Sequence, residues 1–373
     1  NNQLVRLAII VSISISILWS IKYFIVLLIE KRKALREEGF IMQIIPPKYQ
    51  LDELKNKQGE RFSLQRFIDN LTASVKYSRI SFEIFSDHDG IKFLVWTPTK
   101  QMQDLVKLNL YSTYKDRVKI KTLDSDPAKS FRTELAEIHE YKSLKHDVYM
   151  LMDVRDFESM DPINDLLTAL SGQVKDSQTL FQIVLKPSQI DKEALNMAKQ
   201  NFRLLRNEIT WLSLFLNRFE SYLIYAIPLL PLAFLKLVPA LSKSFSNPTN
   251  SVDPLAVLPD TDPRKFFVDK DELQNFYSRM DEKYKTSFTS YIRVVAQGDN
   301  SEARLNAIEQ ALESMKSETQ NRLIRKRVNK LNDVLSRFIY PEDRFFPFYR
   351  EIFTSQGRLS SREISMLYHL PNR

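Results

Sequence analysis

A long apolar segment near the amino terminus constrains this chain more than any other feature of the sequence. Residues Leu7 to Ile29 read LAIIVSISISILWSIKYFIVLLI, an apolar run interrupted by small serines and by one basic residue, Lys22. A helix needs roughly 20 mostly apolar residues to cross the hydrocarbon layer, so this run is long enough to span it with some tilt. The pattern predicts a transmembrane helix, with membrane lipid as a partner.

The flanks of this segment predict its orientation. Aromatic rings settle at the headgroup level of a bilayer, and a lysine near the end of a span extends its ammonium group to that level. A basic cluster follows the run, whereas Arg6 alone precedes it, so the positive-inside rule places the carboxy-terminal side in the cytoplasm. The predicted anchor comprises Leu7, Trp19, Lys22, Tyr23, Phe24, Ile29, Lys31, Arg32 and Lys33.

Two other interpretations of the segment remain open. A cleaved signal peptide has a shorter apolar core and a small-residue cleavage site, whereas Glu30-Lys31-Arg32-Lys33 follows here. A buried helix of a soluble domain is the second, because Lys22 breaks the apolar run. Since the chain begins Asn1-Asn2 rather than with methionine, we expect further residues upstream.

Composition bounds the class of protein. The chain has 373 residues, of which 43% are hydrophobic and 27% charged, an ordinary globular balance for two or three domains. The net charge of +8 favours anionic lipid or nucleic acid without requiring either. Cysteine is absent, which excludes disulfides, thiolate metal sites and a cysteine nucleophile and fits a reducing compartment.

Glycine content limits nucleotide chemistry. Only 6 glycines occur, and neither G-x-x-x-x-G-K-[ST] nor G-x-G-x-x-G is present. This chain by itself therefore does not hydrolyse nucleotide through a P-loop, and we predict no cofactor for it.

Residues 37–123, which come after an anchor and juxtamembrane segment at 1–36, alternate between strand and helix patterns. The predicted elements are strand Phe40–Ile45, helix Phe62–Val75, strands Arg79–Ser86 and Ile91–Thr97 around the turn Asp87–Gly90, helix Lys100–Tyr111 and strand Val118–Leu123. This βαββαβ order predicts a ferredoxin-like (split βαβ) α/β domain.

A second unit of the same kind follows, over 131–187 and 264–318. Its predicted elements are strands Thr133–Glu140 and Asp147–Val154, a helix from Pro162 capped by Asp161, strand Leu180–Leu185, a helix around Leu273, strand Ser287–Ala296 and a helix around Ile308. The predicted fold class is thus α+β: an N-terminal transmembrane helix followed by two ferredoxin-like α/β domains, the second interrupted by an insertion.

The insertion, 188–263, begins with heptad-like spacing that predicts a coiled coil or helical hairpin. Tyr222 to Leu241 then reads YLIYAIPLLPLAFLKLVPAL, whose three prolines make a straight membrane span unfavourable. An interfacial or re-entrant segment, a partner-binding surface and a core segment all remain open. The predicted membrane or partner contacts are Tyr222, Ile227, Leu229, Leu232, Phe234 and Leu237.

The carboxy-terminal region, 319–373, contains a basic segment that we interpret as a helix over Asn321–Ile339. Its basic residues predict contacts to nucleic acid or to a protein partner, although a solvated charged face is the commoner explanation. These residues are Arg322, Arg325, Lys326, Arg327 and Lys330. Near the end of the chain, Ser360 and Glu363 have the spacing of a capping box.

The terminal stretch LSSREISMLYHLP (Leu359 to Pro371) resembles the segment that leads into the nucleotide-binding domain of membrane-anchored ATPases related to type IV secretion and conjugation, particularly forms from small-genome and Gram-positive bacteria. Four other stretches are similar to the same amino-terminal region. They are the strand running into Pro46-Pro47, the hairpin ISFEIFSDHDGIKFLVWTP (Ile80 to Pro98), TLFQIVLKPS (Thr179 to Ser188) and SYIRVVAQGD (Ser290 to Asp299). The resemblance covers most of the chain outside the insertion.

The resemblance implies a role rather than a reaction. It implies the membrane-anchoring, non-catalytic region of a hexamer-forming translocation ATPase at the bacterial inner membrane, single-pass and with most of the chain cytoplasmic. Other membrane proteins of the secretion system are the implied partners. ATP and Mg²⁺ are implied only for a downstream domain, so by this resemblance the full-length protein would be a P-loop ATPase through a domain beyond Arg373.

Clusters of polar residues predict no catalytic residue and no metal ligand. His139 and His146 are able to meet across a hairpin, but no third ligand suggests itself. The acidic residues between Asp153 and Asp161 are explained as loop charges and a helix cap. The alternative functions are a membrane-tethered nucleic-acid-binding or scaffold protein, with DNA as a partner, and, with least support, an unrecognised membrane enzyme.

Overall fold

A computed structural model describes ten ranges of the chain and six single positions. The ranges are 24–46, 65–71, 78–114, 118–144, 162–171, 176–188, 287–314, 321–327, 331–339 and 357–368, and the single positions are 14, 18, 21, 22, 151 and 370. The chain divides into two compact units. One comprises Asn1–Glu30, Lys192–Leu273 and Pro341–Phe353, and the other comprises Lys31–Asp191, Gln274–Tyr340 and Thr354–Arg373.

The second unit contains one antiparallel sheet of nine strands. The strands are β1 (Phe40–Ile45), β2 (Ile80–Asp87), β3 (Gly90–Thr97), β4 (Lys119–Leu123), β5 (Ala136–Ser143), β6 (Gln178–Ser188), β7 (Ser287–Gln297), β8 (Leu323–Arg327) and β9 (Arg358–Ser360). The spatial order is β4-β1-β3-β2-β6-β7-β5-β8, and β9 pairs with the start of β7.

The helices are distributed along the chain between the strands. They are α1 (24–36), α2 (65–71), α3 (Lys100–Tyr114), α4 (Pro162–Leu170), α5 (Ser301–Glu313), α6 (Leu331–Leu335) and α7 (Ser361–Leu367), with a 3₁₀ turn at Pro127–Ser130. The described structure therefore belongs to the α+β class.

The sheet consists of two halves with the same strand order. In each half the described strands and helices read βαββαβ in chain order, with the fourth strand beside the first, the first beside the third and the third beside the second. The two second strands, β2 and β6, meet in register from Ile80 opposite Leu185 to Ser86 opposite Thr179. At this seam Phe82-Glu83-Ile84 lies beside Phe181-Gln182-Ile183, so similar triplets occupy equivalent places about a local two-fold axis.

Alternation along the strands gives the sheet two different faces. Phe82 and Ile84 point to the face that packs against α2, α3, α4, α5 and α7, where most of the buried apolar residues lie. Their neighbour Phe85 points to the opposite face and packs with Phe131 of the loop after the 3₁₀ turn and Val334 of α6. Fewer of the described apolar residues pack against this second face, and it also holds buried charges.

The predicted membrane anchor is wrong. Within the described part of the chain, no helix combines the length and the hydropathy that crossing a bilayer requires. Lys31, which the positive-inside rule assigned to the cytoplasmic flank of the span, pairs instead with the buried carboxylate of Asp333 at 2.5 Å, and Ala34 is fully buried. The predicted transmembrane helix over Leu7–Ile29 and the single-pass inner-membrane location are corrected accordingly.

The fold-class prediction also separated two domains that share one sheet. Strand β2 is not the outer strand of a separate domain, because its second edge pairs with β6 over seven residue pairs. An unpaired strand edge exposes backbone donors and acceptors, and joining the two halves removes two such edges.

One further element differs from the sequence-based expectations. The basic segment Asn321–Ile339 is not one helix, because it contains strand β8 and the short helix α6. The predicted strand Asp147–Val154 lies outside the described residues apart from Leu151, as does the insertion after Ser188.

Candidate functional site

A row of polar side chains crosses the second face of the sheet. Neighbouring strands place Glu83 of β2 opposite Gln182 of β6, Gln182 opposite Arg293 of β7, and Arg293 opposite Glu140 of β5. All four side chains are buried. Charged groups are rarely buried unless they are paired. We therefore expect each charged side chain of this row to have a specific partner.

Arg337 covers one end of this row. It follows α6 in the left-handed backbone region (φ 49°) and donates to both carboxylate oxygens of Glu83, at 2.8 and 2.9 Å. Its terminal nitrogens also bind the Asp126 carboxylate, one of them at 3.1 Å. Burial alone lowers the pKa of Arg337, but the charges of Glu83 and Asp126 outweigh burial and raise the pKa above its ordinary value.

Arg293 anchors the other end of the row. Its Nε donates to Glu140 at 3.2 Å, and its two terminal nitrogens donate to the backbone carbonyls of Asp333 and Phe338, at 3.2 and 2.7 Å. Gln182, between the two ends, donates to Glu83 at 3.0 Å and to the Val334 carbonyl at 3.3 Å. Residues 331–339 are therefore attached to the sheet by side chains from three strands.

Aromatic rings and α1 extend this network at its margin. The guanidinium groups of Arg337 and Arg79 lie 5.3 and 5.4 Å from the centroid of the Trp96 ring, a cation–π arrangement. Arg79 also pairs with Glu37 at 2.6 Å. Arg79 thereby connects Glu37, just after α1, to Trp96, while the Lys31–Asp333 pair attaches α1 itself to residues 331–339.

The arrangement is suited to holding segments in place rather than to binding a substrate. Its carboxylates each face a guanidinium or ammonium group, and the strongest pairs are inaccessible to solvent. We refer to Glu83, Asp126, Glu140, Gln182, Arg293 and Arg337 as the buried ladder.

The carboxy-terminal segment is built into the other face. Strand β9 pairs with β7, from Ser287 opposite Ser360 to Thr289 opposite Arg358. The predicted capping box is confirmed, because the Ser360 hydroxyl accepts from the Glu363 N–H and the Glu363 carboxylate accepts from the Ser360 N–H at 2.8 Å. The same carboxylate accepts from the Leu151 N–H at 2.7 Å.

Tyr368 ends this segment inside the apolar core. Its ring centroid lies 5.1 Å from that of Phe82 and 5.8 Å from that of Phe93, and its hydroxyl donates to the Leu94 carbonyl at 3.4 Å. Burial, and then the proximity of Tyr114 and Glu83, raises the pKa of Tyr368 well above its ordinary value. The terminal segment is therefore connected to the centre of the first half of the sheet.

The predicted basic contact residues lie at the edge of the sheet. Arg325, Lys326 and Arg327 belong to β8, and Arg322 immediately precedes it. Arg325 pairs with Glu309 of α5 at 3.1 Å, and both side chains are partly exposed. Lys330 lies outside the described residues.

The other predicted site residues fall into two groups. Lys22, Phe24 and Ile29 are exposed, as are Arg32 and Lys33, whereas Lys31 is partly buried. The remaining anchor residues, the contact residues of the insertion, the acidic residues from Asp153 to Asp161, His146 and His369 lie outside the described residues.

Two histidines can be placed with respect to metal binding. His139 contacts Tyr141 edge to face, with centroids 6.5 Å apart. His88 lies in the β2–β3 turn between Asp87 and Asp89, with ligand atoms within 4.8 Å of one another. Lys92 pairs with Asp87 at 2.6 Å and neutralises part of the negative charge of that cluster. Ion pairs within the hairpin therefore account for these acidic residues.

Sequence reasoning did not find the buried ladder. Its only local signal is a charged residue in the middle of an apolar strand, as Glu83 in ISFEIF and Arg293 in YIRVV. Arg337 and Glu83 are separated by 254 positions, so their pairing leaves no pattern in a single sequence.

Two comparisons with known proteins provide no relative from which a function could be transferred. No protein-family model matches the chain, and no curated protein matches it.

Proposed function

We propose that this chain is a non-catalytic assembly and docking module that positions a motor domain, the role of the amino-terminal region of type IV secretion-related translocation ATPases. The observation that carries the proposal is the way the terminal segment is held. The segment that resembles the family's connection to its nucleotide-binding domain is held by strand pairing, by a capping box and by a buried tyrosine.

The terminal segment is suited to transmitting force or position. Strand β9 adds to β7, which lies in the interior of the sheet, and Tyr368 packs on Phe82 and Phe93 in the other half. Displacing the segment requires breaking backbone hydrogen bonds and exposing buried aromatic surface. A domain attached after it would therefore have a defined position relative to the whole sheet.

The buried ladder supports the same role. Buried ion pairs contribute little net stability compared with apolar side chains of the same size, but they penalise every arrangement in which a partner is missing. The ladder fixes residues 331–339, and through Lys31 the end of α1, in one arrangement on the sheet. A docking module needs this uniqueness more than it needs additional stability.

Under this proposal the partners are further copies of the protein, with a hexamer suggested by the resemblance, and other proteins of the secretion system. ATP and Mg²⁺ would be bound only by a domain beyond Arg373.

The proposal is tested first on the gene. The coding sequence beyond the codon for Arg373 is expected to continue into a glycine-rich P-loop. A stop codon at that point would remove the motor role.

The second test uses the full-length product and measures ATP hydrolysis together with native mass. Tyr368→Ala is expected to lower the assembly-dependent rate of hydrolysis while leaving nucleotide affinity unchanged, because the residue lies in the connecting segment. Leu108→Ala, at an exposed position of α3, is the matched control. Equal effects of the two substitutions would argue against coupling through the terminal segment.

A further inference from the structure

Strand β8 forms one edge of the described sheet. Within the ranges that the structure describes, β8 pairs with β5 alone. The Leu144 N–H donates to the Arg322 carbonyl at 2.8 Å, and antiparallel strands alternate between residues that bond inward and residues that bond outward. The N–H and C=O groups of Leu323, Arg325 and Arg327 are therefore directed away from β5.

The side chains along this edge are cationic. Arg322, Arg325 and Lys326 are exposed, and Ile324 between them is 38% exposed. The Arg325–Glu309 pair lies at the surface, where ion pairs are weak and are exchanged easily for another carboxylate. An approaching strand would meet both unpaired backbone groups and positive charge.

A second copy of this chain is a poor fit to the edge. The opposite edge strand, β4, carries exposed Lys119 and Lys121, and Lys121 occupies the place in its half that Lys326 occupies in the other. Pairing β8 with β4 or with another β8 would set cations against cations, an arrangement that disfavours edge-to-edge association. Charge complementarity calls for an acidic strand.

Nucleic acid fits the edge less well than an acidic strand does. Arg325 shares the sheet face of Tyr141, toward α5, whereas Lys326 shares the opposite face with Glu140. Cations on opposite faces do not line a single row of phosphates, but they do flank a strand added at the edge. Carboxylates on alternate faces of such a strand would reach both.

We propose that β8 binds an extended acidic segment of a partner protein as an added strand. This inference deepens the proposed docking role, and it names the partner chemistry for one edge. Backbone hydrogen bonds would supply affinity, and Arg322, Arg325 and Lys326 would select for negative charge.

The test measures fluorescence anisotropy with the purified full chain. The probe is a short fluorescein-labelled peptide in which pairs of glutamates alternate with pairs of valines, so that carboxylates lie on both faces of the strand, and the neutral probe replaces glutamate by glutamine. A third probe carries N-methyl groups on the amides of both edges, and a fourth is a short DNA duplex. Arg325→Glu combined with Lys326→Glu is compared with Lys119→Glu combined with Lys121→Glu on β4. A milder variant, Arg325→Gln with Lys326→Gln, removes the two charges without reversing them. It serves as a second test in case the charge reversal prevents folding.

The acidic probe is expected to bind, and both β8 variants are expected to weaken it, the charge reversal by about tenfold or more, while the β4 variant changes affinity less than about twofold. N-methylation of both peptide edges is expected to abolish binding, because no backbone N–H is then left to pair with β8.

Four outcomes would overturn the proposal: no saturable binding, equal loss in the β4 variant, indifference to N-methylation, or tighter binding of the duplex than of the acidic peptide. The last outcome would assign the edge to nucleic acid. Failure of the peptide to bind would not change the result expected from the coding-sequence test of the motor role. A stop codon after Arg373 would likewise not change the binding expected at β8.

Discussion

Arg293 and Arg337 illustrate how charge is kept in the interior of this protein. Each guanidinium is buried and is bound by a carboxylate and by backbone carbonyls. Removing a guanidinium from water costs several kcal/mol, and the paired carboxylates offset that cost only while the pairs are intact. A substitution on one side should therefore be much more harmful than the net contribution of the pair suggests.

Replacing Arg337 by methionine tests this asymmetry. Arg337→Met leaves Glu83 and Asp126 buried without their cation, so we expect the free energy of unfolding to fall by about 3–5 kcal/mol. The surface control Arg325→Met, which frees only the partly exposed Glu309, should cost about 0–1 kcal/mol. Urea denaturation measures both, and similar small losses would contradict the role given to the ladder.

Two buried tyrosines make a contrasting pair. The Tyr141 hydroxyl is buried and has no hydrogen-bond partner within the described part of the chain, whereas the Tyr368 hydroxyl donates to Leu94. We expect Tyr141→Phe to raise the free energy of unfolding at neutral pH by about 1 kcal/mol and Tyr368→Phe to lower it by about the same amount. Changes of the same sign in both variants would be inconsistent with this placement.

The same tyrosines predict how stability depends on pH. Burial raises the pKa of both side chains, Tyr141 with a further contribution from Glu309. In the unfolded chain both ionise near pH 10, so above that pH the folded state holds more protons than the unfolded state. Stability should therefore fall as pH rises above about 10, and each phenylalanine variant should flatten that fall. Urea titrations at neutral and alkaline pH measure the slopes.

The terminal helix α7 depends on one carboxylate that has two functions. Glu363 completes the capping box with Ser360 and also accepts from the Leu151 N–H. We expect Ser360→Ala to cost about 1 kcal/mol, the usual value of a cap, and Glu363→Ala to cost about 2 kcal/mol, because it also leaves a buried donor unpaired. Urea denaturation and hydrogen exchange in α7 report the difference, and equal losses would argue against the second function.

The sequence predicts a helix, strand or turn correctly where residues close together in the chain determine its structure. The β2–β3 hairpin follows from alternating apolar residues around a turn that contains Asp89 and Gly90, and the structure pairs Asp87 with Gly90 as expected. The start of α7 follows from Ser360 and Glu363, whose capping bonds are local.

Strand β8 shows where local patterns fail. Ile324, Leu331 and Leu335 have helical spacing, yet Ile324 lies in a strand because the edge of β5 supplies it with backbone partners. Long-range pairing overrides a weak local preference, and nothing in the neighbouring residues reports the presence of β5. The contacts of the buried ladder were unpredictable for the same reason, since Arg293 and Glu140 lie 153 positions apart.

At the level of the whole sheet, the sequence indicates two α/β runs, of which the first alone was predicted with the order βαββαβ, but not their union. Either run could close as a separate domain, with β2 or β6 as an outer strand. In the structure those two strands pair, and Gln182 donates to Glu83 across the seam. Glu83 and Gln182 are 99 positions apart. Register and hydrogen bonding at the seam therefore depend on two distant segments, which no local pattern connects.

A continuous sheet predicts that both halves unfold together. Ile292 of β7 is buried in the apolar cluster that also contains Phe93 of β3, so a cavity at Ile292 should destabilise both halves. We expect Ile292→Ala to lower the free energy of unfolding by about 2–4 kcal/mol. Hydrogen exchange read by mass spectrometry should show the same loss in peptides covering β3 as in peptides covering β7, because the seam makes them one cooperative unit. The edge strands β4 and β8 should exchange faster and change less, since each is paired on one side in the described structure. A loss confined to β7 would mean that the seam joins two independently folding domains, and the terminal segment would then be positioned by one half alone.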